Sequence, residues 1–73
     1  MAEVKSEHIK INSEFIKLDQ LLKMLSLAGS GGEAKLIIEA GKVGVNEEIE
    51  KRRGRKIRPG DRVMIMDKLY FIQ

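Results

Sequence analysis

The chain contains no cysteine and no tryptophan, a single proline, a single histidine, and only two phenylalanines and one tyrosine. Without cysteine there is no disulfide and no thiolate metal site. One histidine, His8, is too few nitrogen ligands for a zinc centre. It also lies in the N-terminal part, expected to be flexible, so no serine, histidine and carboxylate set for hydrolysis is expected. No glycine-rich phosphate loop precedes a Lys-Ser or Lys-Thr pair. No enzymatic activity and no cofactor are therefore expected. No run of 18 apolar residues is present to form a helical membrane span. Met1 to Lys10 lack the apolar centre of a secretory signal, so the expected location is the cytoplasm, with no membrane partner. Arginine is missing from the first 50 residues, where six lysines face nine acids for a balance of −3. Residues 51–73 hold eight basic side chains against two acids, a balance of +6.

Most of that positive charge sits in one place. Lys51, Arg52, Arg53, Arg55, Lys56 and Arg58 put six cations into eight residues, with Gly54 among them and the turn signal Pro59-Gly60 just behind. Cations at this density repel one another and persist where water or a polyanion surrounds them. Arginine adds bidentate geometry suited to phosphate. A short basic loop between structured segments fits a phosphate-contacting element. The plainer reading is a solvated loop that keeps a small protein soluble.

The 73 residues are expected to form one domain. Residues 1–6 are polar and predicted to be frayed. His8 to Ile11 alternates like an edge strand. Leu18, Leu21, Leu22 and Leu25 fall at helical spacing, which predicts a first helix over about 18–26, with Asp19 in its first turn and Gly29 closing it in a left-handed conformation. Ser30-Gly31-Gly32-Glu33 is a capping box that starts a second helix. Ala34, Ile37 and Ile38 form the apolar stripe of that helix, and Gly41 ends it. Val43 and Val45 alternate with polar neighbours as a strand, Asn46-Glu47 is a tight turn, and Glu48-Ile49-Glu50 returns with Ile49 buried. Pro59-Gly60 fits the centre of a type II turn. Val63 and Ile65 face inward, Asp67-Lys68 reverses the chain, and residues 69–72 form the last strand. Met24, Met64 and Met66 are expected in or beside the core. One of Tyr70 and Phe71 faces in, and the other is available to stack on a base. The predicted class is α+β, a helical hairpin packed on a small, mostly antiparallel β-sheet.

Four segments in this order then resemble a known family: Lys17-Leu18-Asp19, Ser30 to Ala34, Gly41-Lys42-Val43-Gly44-Val45-Asn46 and Pro59-Gly60-Asp61. Together they resemble the alpha-L RNA-binding domain, best known from the small-subunit ribosomal protein S-four. The likeness runs from about residue 16 to 66. The short chain and its Arg52-Arg53-Gly54-Arg55-Lys56 loop look most like the small stand-alone YaaA-like members. The resemblance implies non-enzymatic binding of structured RNA, ribosomal or transfer RNA, and an association with the ribosome. Carried over by position, it places Lys17, Lys35, Lys42, Asn46, Lys51, Arg52, Arg53, Arg55, Lys56 and Arg58 at the RNA.

Two positions depart from the family pattern. Gly31 stands where an arginine often follows the helix-two serine, and Glu47 stands where a glycine usually follows Val-Asn. Gly31-Gly32 leave the first amides of the second helix open to a phosphate. Glu33 beside them favours a plain inter-helix turn. Asp19 is expected to pair with a nearby Lys or Arg, and Asp61 to accept backbone hydrogen bonds in its turn. The alternative to RNA binding is a protein-interaction adaptor that docks the basic loop on an acidic partner surface.

Overall fold

A computed structural model describes residues 5–73. The elements in chain order are β1 (Lys5–Ile9), β2 (Ile16–Lys17), α1 (Leu18–Met24), α2 (Gly31–Glu39), β3 (Val43–Val45), β4 (Glu48–Ile49), β5 (Lys56–Ile57), β6 (Arg62–Ile65) and β7 (Lys68–Ile72). Five strands form one sheet in the order β1-β7-β6-β3-β4, and β2 pairs with β5 in a separate two-stranded sheet. All pairings are antiparallel except β1 with β7. The α+β arrangement, a helical hairpin against a mostly antiparallel sheet, is the one the sequence predicts. The predicted fraying of residues 1–6 gives way at Lys5 and Ser6, which pair with Lys68 and Leu69. Residues 1–4 of that expectation lie outside the described residues.

The core lies between the hairpin and one face of the large sheet. Leu18, Leu21, Leu22, Ala34 and Ile38 come from the helices, and Val43, Val45, Val63, Ile65, Tyr70 and Ile72 from the sheet; all are buried. Alternation puts every second strand residue on that face. At roughly 25 cal/mol per Å² of apolar area, such burial is the main force holding the hairpin down. Leu25 and Ile37 flank this core half-buried.

Several local expectations shift. The first helix stops at Met24, and its left-handed closing residue is Ser26 (φ 61°), not Gly29. The Ser26 amide donates to the Lys23 carbonyl and the Leu27 amide to the Leu22 carbonyl, a Schellman closure that half-buries Leu27. The second helix opens as predicted, with the Glu33 amide donating to Ser30 Oγ at 3.1 Å. The Glu33 carboxylate, however, accepts from Gly29 N–H rather than from Ser30. Gly41 (φ 77°) ends the helix, and Gly60 (φ 100°) supplies the left-handed position of the type II turn. The first strand covers 5–9 in place of 8–11, and the last reversal uses Met66-Asp67, one residue earlier than predicted. Met24 and Met66 are exposed rather than core-filling. Tyr70 is the inward aromatic, and Phe71 on the other face stacks on His8 with ring centroids 5.2 Å apart.

The return strand β4 corrects the sequence reading most usefully. Asn46 and Glu47 both have positive φ, the signature of a two-residue type I′ hairpin turn. That turn fixes the register Val45↔Glu48 and Gly44↔Ile49. Val43 and Val45 point inward, so Gly44 and its partner Ile49 point outward. Ile49 is 68% exposed, and Glu50 takes the buried place at 7%.

Candidate nucleic-acid interface

The basic loop is fastened to the fold at three levels. The first is the backbone. Lys17 is a poor N-cap with no side-chain acceptor, so the opening amides of α1 need partners from elsewhere. The loop supplies them: Leu18 N–H donates to the Arg55 carbonyl at 2.9 Å, and Asp19 N–H to the Arg53 carbonyl at 3.1 Å. The second is strand pairing, since β5 closes the loop with the register Ile16↔Ile57 and Lys17↔Lys56. Ile57 is fully buried and ties the loop to the core. The third is a set of ion pairs.

Glu50 is the centre of those pairs. Its Oε2 accepts from Arg52 Nε at 3.1 Å, and its Oε1 from Arg52 Nη2 at 3.0 Å and from Arg55 Nη1 at 2.8 Å. The Arg52 fork lowers the Glu50 carboxyl most; burial pulls the other way, and Arg55 and the Arg52 amide add to the lowering. The net result is about 2, against an ordinary value of 4.5. The folded chain keeps Glu50 ionised down to about pH 2, whereas the unfolded chain takes up a proton near 4.5. The stabilisation is therefore complete above pH 4.5 and drains away as the pH falls toward 2. Glu50→Gln is expected to cost about 1–3 kcal/mol at neutral pH. In denaturant titrations across a pH series, its deficit from wild type should shrink steadily below pH 4.5. A deficit independent of pH would contradict this role.

Arg53 makes the other link. Its Nε donates to Asp19 Oδ2 at 3.0 Å. The second oxygen, Asp19 Oδ1, is buried without a partner among the described residues. A Cβ on Gly31 would lie 3.3 Å from Arg53 Nη2. The guanidinium of Arg53 thus covers the start of α2, above Gly31.

Arg52, Gly54, Arg55, Lys56 and Arg58 line an open cleft of about 370 Å³. Lys17 lies directly opposite Lys56, so the two side chains share a face a few ångströms apart. Lys56 Nζ also sits 4.9 Å from the centre of the Phe15 ring, which holds its stem in place. Among the described residues, Lys17, Lys51, Lys56 and Arg58 have no carboxylate within ion-pair distance. Glu50 and Asp19 offset two of the six loop cations, leaving a local charge of +4 before Lys17 is counted. Like charges facing one another on a sheet are destabilising, and a polyanion between them removes that cost.

The remaining predicted residues fall elsewhere. Lys35 is exposed on α2. Lys42 lines a second hollow with Gly41, Gly44, Ile49 and Met64. Asn46 is exposed but already engaged by its own chain: its Nδ2 donates to Asp61 Oδ1 at 3.0 Å, and its Oδ1 accepts from Arg62 N–H at 2.9 Å. One amide hydrogen remains for a ligand. Asp61 also accepts from Arg58 N–H at 2.7 Å, the turn role predicted for it. Sequence reasoning missed Glu50 and Phe15. For Glu50 the signal was present, because the hairpin turn and the inward valines together force residue 49 out and residue 50 in.

No helix among the described residues is long and apolar enough to cross a membrane, and no cluster of three metal-ligating side chains occurs among them. The family model described as S4 domain matches residues 9–73. A probable ribosome maturation protein, RlbA of Bacillus subtilis (strain 168), is 46% identical over 57 residues, covering 78% of this chain and 80% of that protein.

Proposed function

This chain belongs to the S4 domain family, and on that premise we propose that it is a non-enzymatic RNA-binding protein acting on ribosomal RNA in the cytoplasm. The observation that carries the reading is the cleft: four basic side chains around Gly54, with Lys17 facing Lys56 at its margin. The family supports RNA as the polyanion, and the name of the Bacillus subtilis relative supports a role in ribosome maturation. Transfer RNA is the second candidate of the same chemistry.

Recognition in this reading rests on backbone phosphates and RNA shape, because A-form duplexes show little readable base edge in their deep groove. Arg58, Lys56 and Lys17 meet phosphates as uncompensated charges, and Arg52 and Arg55 offer the guanidinium hydrogens that Glu50 leaves open. With about four phosphates engaged, log affinity should fall against log salt with a slope of roughly −3 to −4. The test is a binding series over salt with ribosomal RNA, transfer RNA and duplex DNA. Salt-sensitive binding strongest for ribosomal RNA supports the reading. Folded protein that binds none of them at low salt overturns it and brings forward an acidic protein surface as the partner.

A further inference from the structure

We propose that Glu50 is a positioning residue for RNA, holding Arg52 and Arg55 as a preorganised pair of phosphate forks on the wall of the cleft. The proposal rests on the reading of that cleft as an RNA surface. An acid bordering a basic loop would ordinarily count against binding a polyanion, since it cancels charge and competes for the same guanidinium groups. The geometry here says otherwise.

Glu50 is buried, and the chain returns past it so that both of its oxygens are used. Two donors come from the Arg52 fork, one comes from Arg55, and the Arg52 amide approaches Oε2 at 3.4 Å. The arginines themselves remain open to solvent, with side-chain exposures of 75% for Arg52 and 35% for Arg55. A guanidinium carries five N–H donors. Arg52 spends one from Nε and one from Nη2, and Arg55 spends one from Nη1. Both therefore keep free donors, and both line the cleft. A long cationic side chain that swings freely must be ordered when it grips a phosphate, and that ordering subtracts from affinity. A buried anion that orders two arginines beforehand removes this loss. The acid thus works for binding, through the arginines, although its charge has the wrong sign for the ligand.

This gives a prediction whose sign separates it from charge alone. Glu50→Gln raises the net charge by one. If only charge matters, RNA binding tightens about two- to fourfold at moderate salt. If Glu50 positions the arginines, binding weakens by about tenfold despite the added charge. Glu48→Gln is the control: it adds the same charge on an exposed side chain that makes no ion pair among the described residues.

The measurement is RNA affinity for wild type, Glu50→Gln and Glu48→Gln at fixed salt, with folding checked by thermal melts. Weaker binding by folded Glu50→Gln, with equal or tighter binding by Glu48→Gln, supports the proposal. Binding by folded Glu50→Gln that equals or exceeds wild type overturns it. Wild type that binds no RNA overturns the RNA reading itself, and the positioning role with it. Should Glu50→Gln not fold, the free wild type decides by NMR, with Arg58 as the reference arginine without an acid partner. Slow exchange and restricted rotation of the Arg52 guanidinium relative to Arg58 support preorganisation. Averaged signals like those of Arg58 overturn it.

Discussion

Alanine at Lys17, Lys56 and Arg58 together lowers RNA affinity about a hundredfold at moderate salt and takes about two to three units off the slope of log affinity against log salt. These three cations are the informative ones to remove. They stand at the cleft or on its margin without a carboxylate partner among the described residues, so their charge is available to a ligand. They are exposed, and truncating an exposed lysine or arginine disturbs a fold little. Removing the facing pair Lys17 and Lys56 even relieves a repulsion. The arginines are poorer probes. Arg53 fastens the loop to Asp19, and Arg52 and Arg55 satisfy buried Glu50. Alanine there mixes lost phosphate contacts with a loosened loop. Unchanged affinity and slope in the folded triple variant would remove the cleft from the RNA interface.

Ile57→Ala is expected to cost about 2–5 kcal/mol. Set against the roughly 4–11 kcal/mol typical of a domain this size, that is a large share of the total. Ile57 is fully buried between two exposed cations, Lys56 and Arg58, and is the only wholly buried side chain in the run 51–58. Its truncation leaves a cavity in the core beneath the loop and weakens the β2–β5 pairing that sets Lys17 opposite Lys56. The loss should therefore appear twice, as a lower midpoint in denaturant and as weaker RNA binding by molecules that remain folded. A core substitution outside the loop and its strand pair, Ile38→Ala, should lower stability comparably with less of the second effect. Equal RNA affinity for folded Ile57→Ala and wild type would show that Ile57 does not hold the loop in its binding shape.

Much of this architecture is legible in the chain, and the places where it is not have specific causes. The leucine stripe, the Ser30 cap, Gly41 and the Pro59-Gly60 turn are local signals, and each fixes a piece of backbone by itself. Gly29 misled because glycine is only the commonest left-handed residue, and Ser26 takes that conformation where the Leu22 and Lys23 carbonyls are there to be closed. Ile49 misled because apolar character was weighed above register. The turn at Asn46-Glu47 decides which face residue 49 occupies, and an exposed isoleucine costs less than a slipped strand that would turn Val43 and Val45 outward. The site was legible as charge and not as geometry. Composition locates six cations in residues 51–58 but says nothing of which are already paired. Asp19 and Arg53 are 34 positions apart, and only the folded chain brings them together. Lys17 and Lys56 meet through a two-residue strand pair too short to leave a periodic signal.

The most direct test of the central claim is NMR mapping of the isotope-labelled protein titrated with a structured ribosomal RNA fragment. The account predicts that the largest perturbations fall on Lys17, on residues 52–58 and on the side chains of Arg52 and Arg55, with little change on the opposite sheet face at Met64 and Leu69. Perturbations centred on Met64, Leu69 and Phe71, with the loop silent, would contradict it.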